Sequence, residues 1–149
     1  MDNTQTFHPG DLLPNFSRVF GAFEKMQFKK FNLTVPQSYT LLTIFDHGMI
    51  TMNELSNLSR VTQTTMTRTV DILVRDGYIE RIRNEEDRRV VNVKLTEKGL
   101  HTVNNIKASL RQTGDAVFSK IPANKKEQVI SILFLMLNIM EELFIIAED

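Results

Sequence analysis

The sequence predicts a mainly α chain with a small β wing: a winged helix-turn-helix lobe flanked by N- and C-terminal dimerisation helices. Three observations carry that class. Two helical patterns, residues 52–58 and 63–76, are joined by the tight connection Ser59-Arg60-Val61-Thr62. A strand-like pair, 78–83 and 89–95, follows around the charged tip Asn84-Glu85-Glu86-Asp87-Arg88. Helix, turn, helix and charged hairpin in that order form a module that docks on DNA. Long apolar helical segments lie on either side, at 11–31 and 100–147.

Residues 1–10 read as a frayed leader punctuated by Pro9-Gly10. From 11 to 31, Leu12, Leu13, Phe16, Val19, Phe20, Phe23, Met26 and Phe28 recur at helical spacing and cover more than one stripe. A helix so widely apolar must be covered from more than one side. It is either a central core helix or one shared with a second subunit.

Thr34-Val35-Pro36-Gln37 has the capping-box pattern, with proline tolerated in the first turn. The helix it opens turns Tyr39, Leu42, Ile44 and Phe45 inward and stops at Gly48. Thr51-Met52-Asn53-Glu54 repeats the signature and starts a short helix that buries Leu55 and Leu58. Thr62 is the N-cap expected for the next helix, in which Met66, Val70 and Leu73 form the buried stripe.

On the other side of that helix Thr64, Arg68, Asp71 and Arg75 recur at i, i+4, i+7 and i+11, with Gln63, Thr65 and Thr67 flanking its start. Short hydroxyl and amide side chains followed by an arginine suit a helix end that approaches base edges and phosphates. In an isolated helix the same residues would be an ordinary solvated face. Their place as second helix of the turn motif, immediately before a wing, favours the DNA reading. Thr62, Gln63, Thr64, Thr65, Thr67, Arg68 and Arg75 are therefore the candidate contacts on this helix.

Gly77 ends the helix at the usual C′ position. Val91, Val93 and Leu95 alternate with Asn92 and Lys94, as in a strand with one buried face, and Ile82 is expected to pack on that face. At the tip, Asp87-Arg88-Arg89 adds three candidate contacts, since an acid can orient a neighbouring guanidinium. Thr96-Glu97-Lys98-Gly99 caps another helix, and Gly99 permits its close approach to the wing. Leu100, Val103, Ile106, Leu110, Val117 and Phe118 mark its apolar side. Asn124-Lys125-Lys126-Glu127 opens a last helix, whose segment 129–147 is apolar on nearly all sides.

That last segment nearly meets the length of a membrane span, about 20 apolar residues. Ser131 and Asn138 interrupt it, and Glu141-Glu142 lie inside it, so a soluble intersubunit helix is the better reading. Apolar residues around both terminal helices exceed what one small domain can cover, and dimerisation through the termini follows. The expectation is a single domain over 1–149, with 34–98 as the DNA-binding lobe and 11–31 and 100–147 as dimerisation helices.

Composition limits the alternatives. The 149 residues are long enough for one domain with a real core, and 42% hydrophobic with 24% charged residues is ordinary globular material. The absence of cysteine excludes disulfides, cysteine-ligated zinc and thiol redox switching, and fits a cytoplasmic location. No basic region followed by an apolar run begins the chain, so no secretory signal is expected. Net charge is zero, which counts against DNA binding taken alone. Yet Arg60, Arg68, Arg75, Arg81, Arg83, Arg88 and Arg89 are spaced through the middle of the chain. His8, His47 and His101 are scattered, so no metal site and no cofactor are expected.

The run Val61-Thr62-Gln63-Thr64-Thr65-Met66-Thr67-Arg68-Thr69-Val70-Asp71, then Asp76-Gly77-Tyr78-Ile79-Glu80-Arg81, resembles the MarR (multiple-antibiotic-resistance regulator) family of transcription factors. The stretch from Glu86-Asp87-Arg88-Arg89 through Leu95-Thr96-Glu97-Lys98-Gly99 strengthens the likeness, which extends over nearly the whole chain in element order. The terminal helices resemble the family by pattern only. The resemblance implies a homodimer on a palindromic site in double-stranded DNA, with residues 63–68 in the major groove. It also implies that Asp87 and Arg89 set the wing tip on the minor groove. Many relatives are repressors that release DNA when a small, often phenolic, ligand enters a cleft beside the dimerisation helices. Phe16, Phe20 and Phe23, with Tyr39 nearby, are the candidate lining of such a pocket here, or they simply fill the core.

Two other classes compete. No glycine-rich phosphate loop, no nucleophile motif and no histidine–carboxylate pairing appears, so an enzyme is not expected. A winged helix used only for protein–protein contact is the remaining alternative, and it predicts no salt-dependent DNA binding.

Overall fold

Several helix starts in this protein are set by side chains that reach three residues ahead. In the computed structural model, which describes residues 8–83 and 90–148, Thr34 and Gln37 make both bonds of a capping box. The Gln37 amide donates to Thr34 Oγ1 at 3.4 Å and the Thr34 amide to Gln37 Oε1 at 2.8 Å. Thr51 and Glu54 repeat the arrangement at 3.1 and 3.0 Å. Between such signals run α1 (Pro9–Lys29), α2 (Val35–His47), β1 (Met49–Thr51), α3 (Met52–Leu58), α4 (Gln63–Arg75), β2 (Ile79–Arg83) and β3 (Val91–Leu95). They are followed by α5 (Glu97–Ser119), a 3-10 turn (Ala123–Lys125) and α6 (Lys126–Glu148). The chain is mostly helical with one small antiparallel sheet.

Two compact units divide the chain, Met1–Ser109 and Leu110–Asp149. The core of the first joins Leu41 and Ile44 of α2, Leu55 of α3, Met66, Val70 and Leu73 of α4, Ile79 of β2, Val93 of β3, and Val103 and Ile106 of α5. Each such side chain contributes about 1.5–3 kcal/mol by leaving water. The stripe expected on α4 is thus the buried one. Leu58 is not buried: it is 54% exposed, because α3 is only seven residues long and turns Leu55 and Ser56 inward instead. On α2 the inward residues are Ser38, Thr40, Leu41 and Ile44, with Leu42 and Phe45 half-buried and Tyr39 outward, about a quarter-turn from the expected face. On α5, Leu100 is exposed, whereas Val103 and Ile106 are fully buried.

The sheet has three strands, in the order β1-β3-β2, one more than the sequence pattern suggests. The added strand β1 is three residues long, too short to show a period, and its Ile50 pairs with Val93. Register also corrects the face assigned to Ile82. Directly paired residues in an antiparallel ladder share a face. Ile79, Arg81 and Arg83 face Leu95, Val93 and Val91, while Ile82 faces Asn92. Ile79, not Ile82, therefore joins the buried row.

The ends of α3 and α4 share one hydrogen-bonded pattern. After α4, Gly77 takes φ +78°, its amide donates to the Val74 carbonyl (3.0 Å) and the Tyr78 amide to Leu73 (2.8 Å). After α3 the same two bonds run from Arg60 to Asn57 (3.0 Å) and from Val61 to Ser56 (3.2 Å), with Arg60 at φ +51°. Both are Schellman turns, and the second holds an arginine where glycine is usual.

Among the described side chains of α1 only Gln27 and Phe28 are buried, whereas Leu12, Leu13, Phe16, Val19, Phe20 and Met26 are exposed. Within one chain α1 is not a core helix. It also starts earlier than the pattern suggests: Pro9 and Gly10 form its first turn, capped by the His8 ring, which accepts from the Gly10 amide at 3.1 Å. In the second unit, α6 leaves Ile130, Ile132, Leu133, Phe134, Leu135, Leu137, Ile139 and Met140 exposed. Phe118, Ile130, Leu133, Phe134 and Leu137 line a shallow apolar hollow there. The segment Ala123–Ile145 is long and apolar enough to cross a membrane, with mean hydropathy 1.8.

Candidate nucleic-acid interface

The connection between α3 and α4 is short because its Schellman turn runs directly into a cap. Thr62 follows Arg60 and Val61 in extended conformation, and its Oγ1 accepts from the Thr65 amide at 3.2 Å. Its hydroxyl also lies 3.0 Å from Thr65 Oγ1. Thr62 and Thr65 are thereby partly committed to holding the start of α4.

Burial of Met66, Val70 and Leu73 turns Gln63, Thr64, Thr67 and Arg68 outward. Among the described residues, these four side chains have no hydrogen-bond or ion-pair partner, so their donors and acceptors are available to another molecule. Arg75 is different: its Nε donates to Asp76 at 2.9 Å, which raises the guanidinium's proton affinity and holds the Asp76 carboxyl below its ordinary range. Asp71 is likewise paired, with Arg81 of β2 at 2.5 Å. Two of the three acid or base residues that follow Thr64 on this face are therefore engaged, and Arg68 is the cation left for an outside anion.

The wing and α4 are joined behind this face. Thr96 Oγ1 accepts from the Gly99 amide (3.1 Å) and donates to the Gly77 carbonyl (2.7 Å). Lys98 Nζ donates to the Asp76 carbonyl at 2.6 Å and lies 4.2 Å from the centre of the Tyr78 ring. A cation at the carbonyl end of α4 is favoured by the helix dipole. Gly99 is buried where a Cβ would lie 2.1 Å from the Tyr78 carbonyl oxygen, so the close approach expected of it is real. On the outer face of the sheet, Lys94 pairs with Glu80 directly across the ladder at 3.0 Å. The remaining wing candidates, Asp87, Arg88 and Arg89, lie outside the described residues.

The aromatic candidates divide into separate contacts. Phe16 and Phe20 stack on each other along exposed α1, with centroids 5.8 Å apart. Tyr39 meets Phe28 edge-on at 5.6 Å and donates its hydroxyl to Glu24; partial burial and then the Glu24 carboxylate raise the phenol's pKa. Phe23 is half-buried. The histidines have local partners: His47 bonds the Thr43 carbonyl (2.9 Å), His101 bonds Asn105 (3.2 Å) and His8 caps α1. Among the described residues no group of three or more histidines and carboxylates could hold a metal.

The Asp71–Arg81 and Lys98–Asp76 contacts were not legible as pairs in the sequence. The one available signal was parity, since a strand register with Ile79 inward also turns Arg81 toward α4.

Comparison with known proteins gives the arrangement a lineage. Residues 33–91 match the MarR family model. The HTH-type transcriptional regulator BilQ of Clostridium symbiosum is 28% identical over 118 residues, 79% of this chain and 82% of that protein. MepR, a transcription regulator of the Staphylococcus aureus multidrug efflux pump MepA, superposes with a TM-score of 0.77 at 21% identity, over 90% of this chain and 99% of that one. A mutant of MarR from E. coli, complexed with operator DNA, does so with a TM-score of 0.75 at 24% identity, over 93% and 99%. With the capped α3–turn–α4 motif and the three-stranded wing, residues 33–91 match the MarR family, and the chain is similar over most of its length to transcriptional regulators.

Proposed function

We propose that this regulator binds double-stranded DNA as a homodimer, placing the start of α4 from each protomer in the major groove of a palindromic operator. The observation that carries the reading is the outward row Gln63, Thr64, Thr67 and Arg68, exposed at the start of a helix whose other side is fixed in the core. Amide and hydroxyl groups can exchange hydrogen bonds with base edges, and arginine can take guanine or a phosphate. Asp87, Arg88 and Arg89 would serve the wing tip, with Arg89 in the minor groove, where narrow, electronegative sequence favours a guanidinium. Anisotropy of labelled random duplex, measured against salt, tests the reading. Binding that weakens steeply with salt is expected; no binding even at low salt would leave the protein–protein module as the better account. Selection of bound genomic fragments then gives the operator and its symmetry.

The dimer reading is supported by the exposed apolar residues of α1 and α6. Obligate interfaces bury on the order of 2,000 Å² or more. Sedimentation at low micromolar concentration should give a dimer, and a well-folded monomer would overturn it. Repression, a cytoplasmic location and relief by a small aromatic ligand complete the proposal. The ligand would lie against Phe16, Phe20, Phe23 and Tyr39, and it can shift DNA affinity only by its differential affinity for two dimer conformations. A panel of phenols and aromatic carboxylates that neither binds nor changes DNA affinity would remove that part.

A further inference from the structure

The outward face of α4 carries an acid where the reading above needs an approach to phosphates. Asp71 lies one turn beyond Arg68 on that face, with its side chain 54% exposed. An unpaired carboxylate there would repel DNA at short range, where salt screens least. It is not unpaired. Arg81 stands opposite Val93 in the ladder, on the inward row of the sheet with Ile50, and its guanidinium reaches Asp71 at 2.5 Å. Arg81 is the more enclosed partner, its side chain 36% exposed. Arg75 and Asp76 neutralise each other in the same way one turn further along. Counted over Arg68, Asp71, Arg75, Asp76 and Arg81, three cations and two acids leave one positive charge, at Arg68.

We propose that Arg81 is a positioning residue that masks Asp71, so that α4 presents Arg68 rather than a carboxylate to the phosphate backbone. Arg81 acts through Asp71 and does not itself touch DNA. The register makes this possible. A slip of one residue would send Arg81 to the opposite face of the sheet and leave Asp71 bare. The inference rests on the proposed DNA binding, and its test distinguishes the two.

The experiment is affinity against salt on a random-sequence duplex, which needs no knowledge of the operator, for the whole chain and its variants. Arg81→Ala should bind about tenfold more weakly than wild type, since the carboxylate is then uncompensated. Arg81→Lys should recover most of the loss. The double variant Arg81→Ala with Asp71→Asn should return to within about threefold of wild type and keep its salt slope. If the double variant stays as weak as Arg81→Ala and its slope falls by about one, Arg81 contacts a phosphate directly and the masking role is wrong. Wild-type binding by Arg81→Ala would place Asp71 away from DNA and equally overturn it. Arg81→Gln, which keeps most of the stem over Val93, replaces alanine if that variant loses its melting transition. Failure of the wild-type protein to bind any duplex would overturn the DNA reading, and this role with it.

Discussion

Replacing Gly99 by alanine places one methyl group where α5 meets the junction of α4 and β2. The new Cβ would lie 2.1 Å from the Tyr78 carbonyl oxygen, 3.1 Å from its carbon and 3.3 Å from Leu95 Cδ2. Carbon–oxygen contacts close no tighter than about 3.3 Å, so oxygen and methyl must separate by roughly an ångström. That carbonyl cannot move alone. It accepts from the Thr96 amide (3.0 Å), and the neighbouring Gly77 and Asp76 carbonyls are held by Thr96 Oγ1 and Lys98 Nζ. Overpacking costs about 1–3 kcal/mol, and one or two weakened hydrogen bonds add about 1 kcal/mol each. Alanine returns about 1 kcal/mol in helix propensity. The net expectation is a loss of about 1–4 kcal/mol, or roughly 2–15 °C in melting midpoint for a chain of this size. Thermal denaturation followed by far-ultraviolet circular dichroism measures it. Gly21→Ala and Gly114→Ala are the controls: both glycines are helical, a Cβ at either meets nothing within 4 Å, and a gain of up to about 1 kcal/mol is expected. A Gly99→Ala protein as stable as wild type would refute the close-approach account.

Other variants probe separate features. Ser38→Ala should raise stability by about 0.5–2 kcal/mol, because the buried Ser38 hydroxyl has no hydrogen-bond partner among the described residues; a lower midpoint in denaturant would mean that the hydroxyl is satisfied. Hydrogen bonds from Thr51 hold the Glu54 carboxyl below its ordinary value of 4.5, so this group contributes stability above that pH and loses it as pH falls through the folded value. Glu54→Gln keeps an acceptor for the Thr51 amide and should flatten the loss of stability between neutral and acid pH, whereas an unchanged acid profile would show that Glu54 is not linked to folding. Arg68→Ala should leave folding stability within about 0.5 kcal/mol of wild type yet cost about 1–3 kcal/mol in binding to the cognate site, read by titration of both proteins on one duplex; undiminished affinity would remove Arg68 from the interface.

What the sequence determined by itself was local. Each capping signature names residues three apart, and the bonds between Thr34 and Gln37, Thr51 and Glu54, and Thr62 and Thr65 close within one turn. The buried stripe of α4 follows from helical period alone, as does the outward row that includes Gln63, Thr64 and Arg68. Gly77 and Gly99 were legible because a left-handed turn favours glycine and a Cβ does not fit against a carbonyl. Tertiary structure decided everything that depends on partners distant in sequence. The strand β1 exists because β3 offers it an edge, and Ile79 rather than Ile82 faces inward because the register with β3 sets parity. The pairing of Asp71 with Arg81 follows from that same register and from the seat of α4 beside β2. Leu58 stays exposed although apolar, since α3 is too short to bury a second leucine. The left-handed turn at Arg60 carries no glycine to announce it; the bonds of Arg60 and Val61 to the end of α3, and the capped start of α4 just beyond, hold an arginine in that conformation. Periodicity and caps are encoded by neighbours along the chain, whereas register and side-chain pairing arise only when separate elements pack.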